Sequence, residues 1–258
     1  MKDLLRKALR AGRPTFGSWI QFGDSGIAEV MASAGFDWLG IDLEHSAIDL
    51  ATASRLIQVI ELAGCAPLVR LSANDPVQAR RVMDLGAWGV IVPSVQSAAE
   101  ARRAVEAVKY PPEGTRGVGL GRAHGYGARF AEYLRESAEG SIVIPMIEQA
   151  EGVDRVGEIL DVAGVDGVFI GPYDLSASYG VAGEVHHPLV RQAMRRVVET
   201  ARATGKAAGI HVVHPPVTQV ADRLGEGFRM IAYGGDMLFL TPAVIEAGAS
   251  LRGLRVGG

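Results

Sequence analysis

Cysteine is almost absent from this chain, and its scarcity excludes one way of stabilising a fold. Cys65 is the only cysteine among 258 residues, so no disulfide can form within the chain. Disulfides belong to oxidising compartments, whereas cytosolic proteins keep their thiols reduced. The apolar neighbours of Cys65 predict a buried thiol. We therefore expect a protein of a reducing compartment.

Long apolar runs and an excess of positive charge are also lacking. No uninterrupted apolar run approaches the roughly 18 residues that a membrane span requires. Residues 1–10 alternate charge with leucine and lack the apolar block of a signal peptide. The formal net charge of -3 provides no basic field for nucleic acids or anionic lipids. We expect a cytoplasmic protein whose partners are small molecules, not nucleic acids or membranes.

Short apolar strands that alternate with helical stretches are, by contrast, plentiful. The strands are continuous apolar runs, typical of parallel strands covered on both faces. Eight strand–helix units in about 250 residues predict an α/β fold, a single (β/α)8 TIM barrel that forms one domain over residues 1–258. A doubly wound open sheet is the alternative. The eight strands are predicted at residues 15–20, 36–42, 66–71, 88–92, 141–148, 166–171, 206–212 and 227–233.

Two of the predicted strands lead into carboxylates. The fifth strand ends in Glu148, and Asp174 follows shortly after the sixth. In a barrel such strand ends meet at the catalytic mouth. Two carboxylates there would repel each other unless a positive group lies between them, and a divalent cation with oxygen ligands is the simplest such group. Either acid alone also fits a strand-end cap or a turn.

Other polar residues follow strand ends and would reach the same mouth. They are Asp42, Glu44, His45, Arg70 and Asp236. This concentration of charge is typical of a catalytic face rather than of the opposite, stabilising face. The glycine-rich segment 116–122 follows no strand and opens no helix in the manner of a nucleotide-binding loop, so we interpret it as an active-site loop.

Lysine is scarce as well, and its positions restrict the chemistry. The chain contains Lys2, Lys7, Lys109 and Lys206, which lie in the N-terminal helix, at a helix end and at the start of a strand. None is placed to form a Schiff base at the mouth. If the barrel handles carbanions, a metal ion has to accept the developing charge.

The polar residues, in this order, resemble the HpcH/HpaI aldolase family. The resemblance covers nearly the whole chain. Its members are metal-dependent class II pyruvate aldolases with the (β/α)8 fold, including enzymes that cleave 4-hydroxy-2-oxoheptanedioate. The matching motifs are Asp42-x-Glu44-His45, Arg70, Ile147-Glu148 and Gly171-Pro172-x-Asp174-Leu175-Ser176.

The resemblance implies a role for each matching catalytic residue. Glu148 and Asp174 match the metal ligands, and Arg70 matches the arginine that contacts the keto oxygen and stabilises the enolate. His45 matches the catalytic base. Asp84 matches the aspartate that raises the basicity of this histidine, within the chain or across a subunit interface. Taken alone, Arg70 also fits a structural ion pair, Asp84 a solvated helix acid and His45 a loop histidine.

The substrate site that the resemblance implies contains two departures from the family pattern. The backbone amides of Tyr173 and Asp174 match those that hold the pyruvyl carboxylate, with Gly171 beside them. Tyr173 stands where the family often has a small residue, so its ring is expected to line the pocket. Met146 stands where the family often has a glutamine that contacts the substrate. The preferred substrate is therefore expected to differ.

What the resemblance implies overall is a reversible aldol cleavage. A 4-hydroxy-2-oxo acid would give pyruvate, or hydroxypyruvate, and an aldehyde through an enolate stabilised by Mg²⁺, Mn²⁺ or Co²⁺. Family members are hexamers in which neighbouring subunits exchange the last helix. The alternatives are a CoA-thioester lyase of the citrate lyase or malyl-CoA lyase type, and a non-catalytic oxo-acid-binding barrel. The presence of His45 beside Arg70 argues against the latter, because binding alone needs no base.

Overall fold

The computed structural model describes residues 2–213 and 216–256, and its sheet closes into a barrel. Eight parallel strands pair in sequence order, and the first pairs with the eighth, for instance through Phe16 and Ile231. This closure confirms the (β/α)8 prediction and excludes an open sheet, whose end strands would stay unpaired. The strands are β1 (Thr15–Ile20), β2 (Trp38–Asp42), β3 (Ala66–Arg70), β4 (Gly89–Val92), β5 (Ile142–Ile147), β6 (Gly167–Ile170), β7 (Ala207–Val212) and β8 (Met230–Gly235).

Helices alternate with the strands, and several begin at a side-chain cap. The carboxylates of Asp24, Asp49 and Asp75 accept backbone N–H groups at the starts of the second, third and fourth helices, which satisfies donors that have no partner within the helix. The helices are α1 (Lys2–Arg10), α2 (Ser25–Ser33), α3 (Leu50–Leu62), α4 (Pro76–Asp84), α5 (Ala98–Val108), α6 (Phe130–Gly140), α7 (Ala150–Asp154), α8 (Val156–Asp161), α9 (Pro172–Ser178), α10 (Pro188–Ala203), α11 (Thr218–Glu226) and α12 (Asp236–Val256).

Helices α9 and α12 differ from what the sequence predicts. The short helix α9 starts directly after Gly171, with Pro172 at its first position, where proline needs no N–H partner. Its seven residues are too few to show a helical apolar period. From the sequence alone, the last helix is predicted to include residues 242–247, yet α12 begins at Asp236 and contains Pro242 in its interior.

Strand side chains alternate between two apolar clusters. In β2, Trp38 belongs to the cluster inside the barrel, whereas Leu39 and Ile41 belong to the cluster beneath the helices. This is the two-residue period of an extended strand. Leu5 and Leu9 of α1 join the inner cluster and close the barrel at the amino ends of the strands.

Aromatic rings fill the barrel interior because glycines on neighbouring strands leave room for them. A Cβ at Gly40 would lie 2.8 Å from the ring of Trp19. A Cβ at Gly209 would lie 2.5 Å from the ring of Phe169. The two rings meet edge to face, with centroids 5.9 Å apart. The layer they form is the floor on which the polar side chains of the mouth rest.

The segment 110–127 lies far from the mouth within its own chain. It connects α5 to α6, and a Cβ at Gly121 would lie 2.9 Å from the carbonyl oxygen of Asp84, at the end of α4. The Arg122 guanidinium donates to Leu85 O at 3.1 Å and to Glu61 at 2.6 Å. The expectation of an active-site loop is therefore wrong for a single chain. A connection that follows a helix returns to the amino end of the next strand, and catalytic loops follow strands.

The helix α12 exposes much of its apolar surface. Leu240, Val244, Ile245, Leu251 and Leu254 are each at least 47% exposed. By length and composition alone, Asp236–Leu254 would suffice to cross a membrane, with a mean hydropathy of 1.2. Exposed apolar side chains concentrated on one helix are typical of a surface that contacts another molecule.

Candidate active site

A cavity of about 340 Å³ opens at the carboxyl ends of the strands. This is the end of a (β/α)8 barrel at which catalytic residues lie. Six residues predicted for the site line it together: His45, Arg70, Met146, Gly171, Tyr173 and Asp174. Met146 is buried in the floor, whereas Tyr173 is half exposed at the rim. The residues predicted to bind the substrate thus lie together around one cavity.

The Arg70 guanidinium is held in a fixed orientation by Asp42, its neighbour across the β2–β3 ladder. Nε donates to Oδ1 at 2.9 Å and Nη2 to Oδ2 at 2.6 Å. Burial alone would raise the pKa of Asp42, but the hydrogen bonds and the charge of Arg70 hold it below its usual value. The guanidinium also lies over the ring of Trp19, 4.7 Å from its centroid. The arginine is therefore both ion-paired and preorganised.

The Glu148 carboxylate is held by Ser94 from the loop after β4. Both the backbone N–H and the hydroxyl of Ser94 donate to Oε1, at 2.6 and 3.0 Å. Ser94 has φ +54°, a conformation that costs energy for a residue with a side chain and that often occurs at functional sites. The arrangement uses one oxygen of Glu148 and leaves Oε2 for another partner.

Gly171 separates Glu148 from Asp174 and lets both carboxylates face one gap. A Cβ at this position would lie 3.0 Å from Glu148 Oε2 and 3.6 Å from Asp174 Oδ2. Two hard oxygen donors around one point fit a divalent cation such as Mg²⁺, which uses one or two carboxylates and fills its other positions with water and substrate. In the described part of the chain, no group of three or more His, Cys, Asp and Glu side chains forms a metal site. The pair thus fits a cation that shares its coordination with a ligand.

Glu44 adds a third carboxylate to this side of the mouth. Its Oε2 is buried without a hydrogen bond, 3.5 Å from Arg70 Nη1 and 3.6 Å from His45 Nε2. Burial raises the pKa of Glu44, and the charge of Glu148 raises it further against the opposing charge of Arg70. The negative charge of these carboxylates exceeds the positive charge of Arg70. The excess favours binding of a cation in the gap.

His45 and Asp84 lie at opposite ends of the barrel. His45 follows β2 at the mouth and is largely exposed. Asp84 is the last residue of α4, a helix that begins beside the mouth and ends near the amino end of β4. Its carboxylate accepts a 2.7 Å hydrogen bond from Arg116, whose side chain is fully buried. A direct contact between the two predicted partners therefore requires a second chain.

Gln21 and His211 lie at the mouth but were not predicted as site residues. Gln21 follows β1 and donates from Nε2 to Asp42 Oδ2 at 3.0 Å. His211, on β7, lines the cavity, and its Nε2 lies 2.8 Å from Gly234 O. The alternation of strand side chains could have revealed both, because Gln21 shares a strand face with Trp19, and His211 shares one with Gly209. Asp236 was noted at the mouth, but it accepts the backbone amides of Gln21 and Phe22 and so connects two loops.

Together these features define a class of protein: a (β/α)8 barrel enzyme with an acidic, cation-binding centre beside an oriented arginine. Comparison with known proteins identifies the family. Residues 15–242 match the model of the HpcH/HpaI aldolase/citrate lyase family. The protein belongs to this family and is a lyase.

Individual relatives agree over nearly the whole chain. A 4-hydroxy-2-oxo-heptane-1,7-dioate aldolase of Salmonella paratyphi C is 43% identical over 93% of this chain and 91% of its own. A crystal structure of an HpcH/HpaI aldolase/citrate lyase family protein from Burkholderia cenocepacia superposes with a TM-score of 0.91 at 34% identity, covering 97% of this chain and 99% of that one. An HpcH/HpaI aldolase from Desulfitobacterium hafniense gives 0.88 at 30% identity, with 96% of both chains covered.

Proposed function

We propose that the protein is a class II aldolase that reversibly cleaves a 4-hydroxy-2-oxo acid to pyruvate, or hydroxypyruvate, and an aldehyde. The observation that carries this proposal is the gap at Gly171, where two carboxylates face each other beside an oriented arginine. The backbone of each of the four lysines lies away from the mouth, in α1, just after α5 or just before β7. A Schiff-base route therefore lacks its amine.

Each residue of the site would have a separate role in the reaction. The backbone amides of Tyr173 and Asp174, at the start of α9, would bind the carboxylate of the oxo acid. The Arg70 guanidinium would donate to the keto oxygen and stabilise the negative charge that develops there. His45 would take the proton of the C4 hydroxyl at its ring nitrogen as the C3–C4 bond breaks. A proton delivered to C3 of the enolate then completes pyruvate.

Glu148 and Asp174 would hold the metal ion, for which we propose Mg²⁺, Mn²⁺ or Co²⁺. When bound, such an ion polarises the keto group as a Lewis acid. The donor set supports a hard or borderline cation, since both protein ligands are carboxylate oxygens.

We further propose that the enzyme works in the cytoplasm as a hexamer whose subunits exchange α12. The exposed apolar face of this helix supports an assembly, because monomeric proteins seldom leave such a surface uncovered. The separation of His45 from Asp84 supports it independently, since a neighbouring chain is needed to complete that dyad. Light scattering at micromolar concentration tests the assembly, and a monomeric mass would reject it.

An aldol assay tests the function. Pyruvate and hydroxypyruvate are each offered a panel of aldehydes, before and after exhaustive chelation and after Mn²⁺ is restored. We expect turnover that chelation abolishes and metal restores, and no lysine adduct after borohydride treatment. Cleavage of CoA thioesters without turnover of free hydroxy-oxo acids would favour a CoA-thioester lyase. Binding of pyruvate without any turnover would favour a non-catalytic barrel.

A further inference from the structure

Gln21 lies at the mouth, on a backbone segment that hydrogen bonds hold in place. It follows β1, and by the two-residue period its side chain points the same way as that of Trp19, whose ring forms part of the cavity floor. Its backbone N–H donates to both oxygens of the Asp236 carboxylate, at 3.0 and 2.9 Å. Asp236 also accepts the N–H of Phe22 at 2.8 Å. The backbone of this loop is thus fixed by a buried acid, and the side chain is presented from a rigid base.

The orientation of the Gln21 amide follows from its partner. Nε2 lies 3.0 Å from Oδ2 of Asp42. Both oxygens of this carboxylate already accept N–H groups from Arg70, so they act as acceptors only. The group that faces them has to be the NH2 of the amide. The carbonyl oxygen, Oε1, therefore points away from Asp42.

Within the described residues, no group donates a hydrogen bond to Oε1. Gln21 lines the cavity together with Arg70, His45 and Asp174, so a ligand bound there would meet this oxygen. A carbonyl oxygen accepts hydrogen bonds and donates none. It would therefore pair with a hydroxyl of the substrate and offer nothing to a methyl group in the same place.

Met146 adds to this selectivity because it offers a hydroxyl no strong hydrogen-bond partner. Met146 is buried in the cavity floor and has only a thioether, which is a weak acceptor. Arg70 and His45 contribute donors or a base, and the nearby carboxylates face the cation gap. Gln21 adds to these neighbours a neutral amide whose backbone is held in place by Asp236.

We infer that Gln21 determines substrate specificity by accepting a hydrogen bond from a hydroxyl group of the substrate. The inference rests on the proposed aldolase function. The hydroxyl has two possible sources, C3 of hydroxypyruvate and the hydroxyl-bearing carbon of an α-hydroxyaldehyde. Both present the same chemistry next to Asp42 and Arg70.

Paired substrates test this inference. With pyruvate fixed, kcat/KM is compared for glycolaldehyde and acetaldehyde; with one aldehyde fixed, it is compared for hydroxypyruvate and pyruvate. Each comparison gives a ratio of kcat/KM for the hydroxylated substrate to kcat/KM for the substrate without the hydroxyl. In Gln21→Met we expect one of these two ratios to fall about tenfold, the order expected when one hydrogen bond is lost. Whichever ratio falls identifies the source. Gln21→Leu should reproduce the shift, and thermal melting confirms that both variants are folded.

A matched control comes from an exposed glutamine outside the cavity. Gln192→Met makes the same chemical change on α10, and both ratios should stay at the wild-type value. The rate at which the C3 protons of pyruvate exchange without any aldehyde gives a second readout. This rate depends on how Asp42 orients Arg70.

Each remaining outcome decides the matter. If both ratios stay within twofold, the inference is overturned, and a joint fall of exchange and all turnovers would then show that Gln21 only positions Asp42. A wild-type enzyme that favours neither hydroxylated substrate overturns it without any variant. If the wild type turns over no oxo acid at all, the proposed function fails first, and the two failures are thus distinguishable.

Discussion

Asp42 binds the guanidinium of Arg70 through two parallel hydrogen bonds, of 2.9 and 2.6 Å, from a fully buried carboxylate. This geometry uses Nε and Nη2 of the arginine and leaves Nη1 directed toward Glu44, at 3.5 Å. A guanidinium held in this way meets a developing negative charge without having to reorganise. The pair therefore couples stability to catalysis at a single contact.

Removing one charge from this pair should affect both properties. In Asp42→Asn the mostly buried Arg70 loses its bidentate counterion, which we expect to lower the free energy of unfolding by about 3 kcal/mol. Exchange of the C3 protons of pyruvate should slow about a hundredfold because Arg70 is no longer held toward the keto oxygen. Chemical denaturation and proton exchange by NMR measure the two effects.

The chain offers an exposed pair of the same geometry as a control. Arg129 donates to both oxygens of Glu132, at 2.8 and 2.7 Å, on the surface of α6. Glu132→Gln should leave stability and exchange at wild-type values, because solvent screens exposed ion pairs. Equal losses in the two variants would contradict the role we assign to Asp42.

The metal gap should close when Gly171 gains a methyl group. In Gly171→Ala the new Cβ would crowd Glu148 Oε2 at 3.0 Å, while the backbone at φ -100° tolerates any residue. We expect the Kd for Mn²⁺ to rise about tenfold or more, since the ligand geometry is disturbed. Calorimetric titration with Mn²⁺ measures this loss without an activity assay. Gly225→Ala, where nothing lies within 4 Å of the new Cβ, is the control and should bind metal normally. Unchanged affinity in Gly171→Ala would place the cation elsewhere.

Mixed oligomers should show whether Asp84 acts across an interface. His45→Ala and Asp84→Asn should each be nearly inactive alone. Co-assembled in equal amounts, they should recover about a quarter of wild-type activity, because some sites then combine an intact His45 with an intact Asp84 from a neighbour. Mixing His45→Ala with Arg70→Ala is the control. Both of those residues belong to the same mouth, so no activity should return. Failure of the first mixture as well would remove Asp84 from the mechanism.

Lys109 should make stability depend on pH. Burial lowers its pKa to about 8, and Nζ donates to the carbonyl oxygens of Ala138 and Ser141 at 3.2 and 3.0 Å. Between about pH 8 and pH 10 the unfolded lysine still binds a proton that the folded one has released. The free energy of unfolding, taken as wild type minus Lys109→Met, should therefore increase as the pH rises through this window. A difference that falls with pH would show that Lys109 stays charged in the folded protein.

Much of the fold follows from the sequence alone. The eight apolar runs predict the eight strands to within a few residues, because a parallel strand covered on both faces is mostly apolar and differs from the polar segments around it. Glu148, Asp174 and Arg70 could be placed at one mouth from their positions at or after strand ends, and motif order then indicated the family. Helix α9 and the true start of α12 could not be predicted, since a seven-residue helix has no measurable period and Pro242 suggests a beginning where there is none.

The relations between side chains were decided only by the tertiary structure. Sequence order shows neither that Gln21 meets Asp42 across the β1–β2 pair nor that Asp84 lies at the far end from His45. Closure of the barrel determines the first, because it directs alternate side chains inward to a common centre. The direction of α4 determines the second, because a helix that follows a strand carries the chain away from the mouth. Composition and spacing thus determined which elements and acids the protein has, and packing in three dimensions decided which of them can act on one substrate.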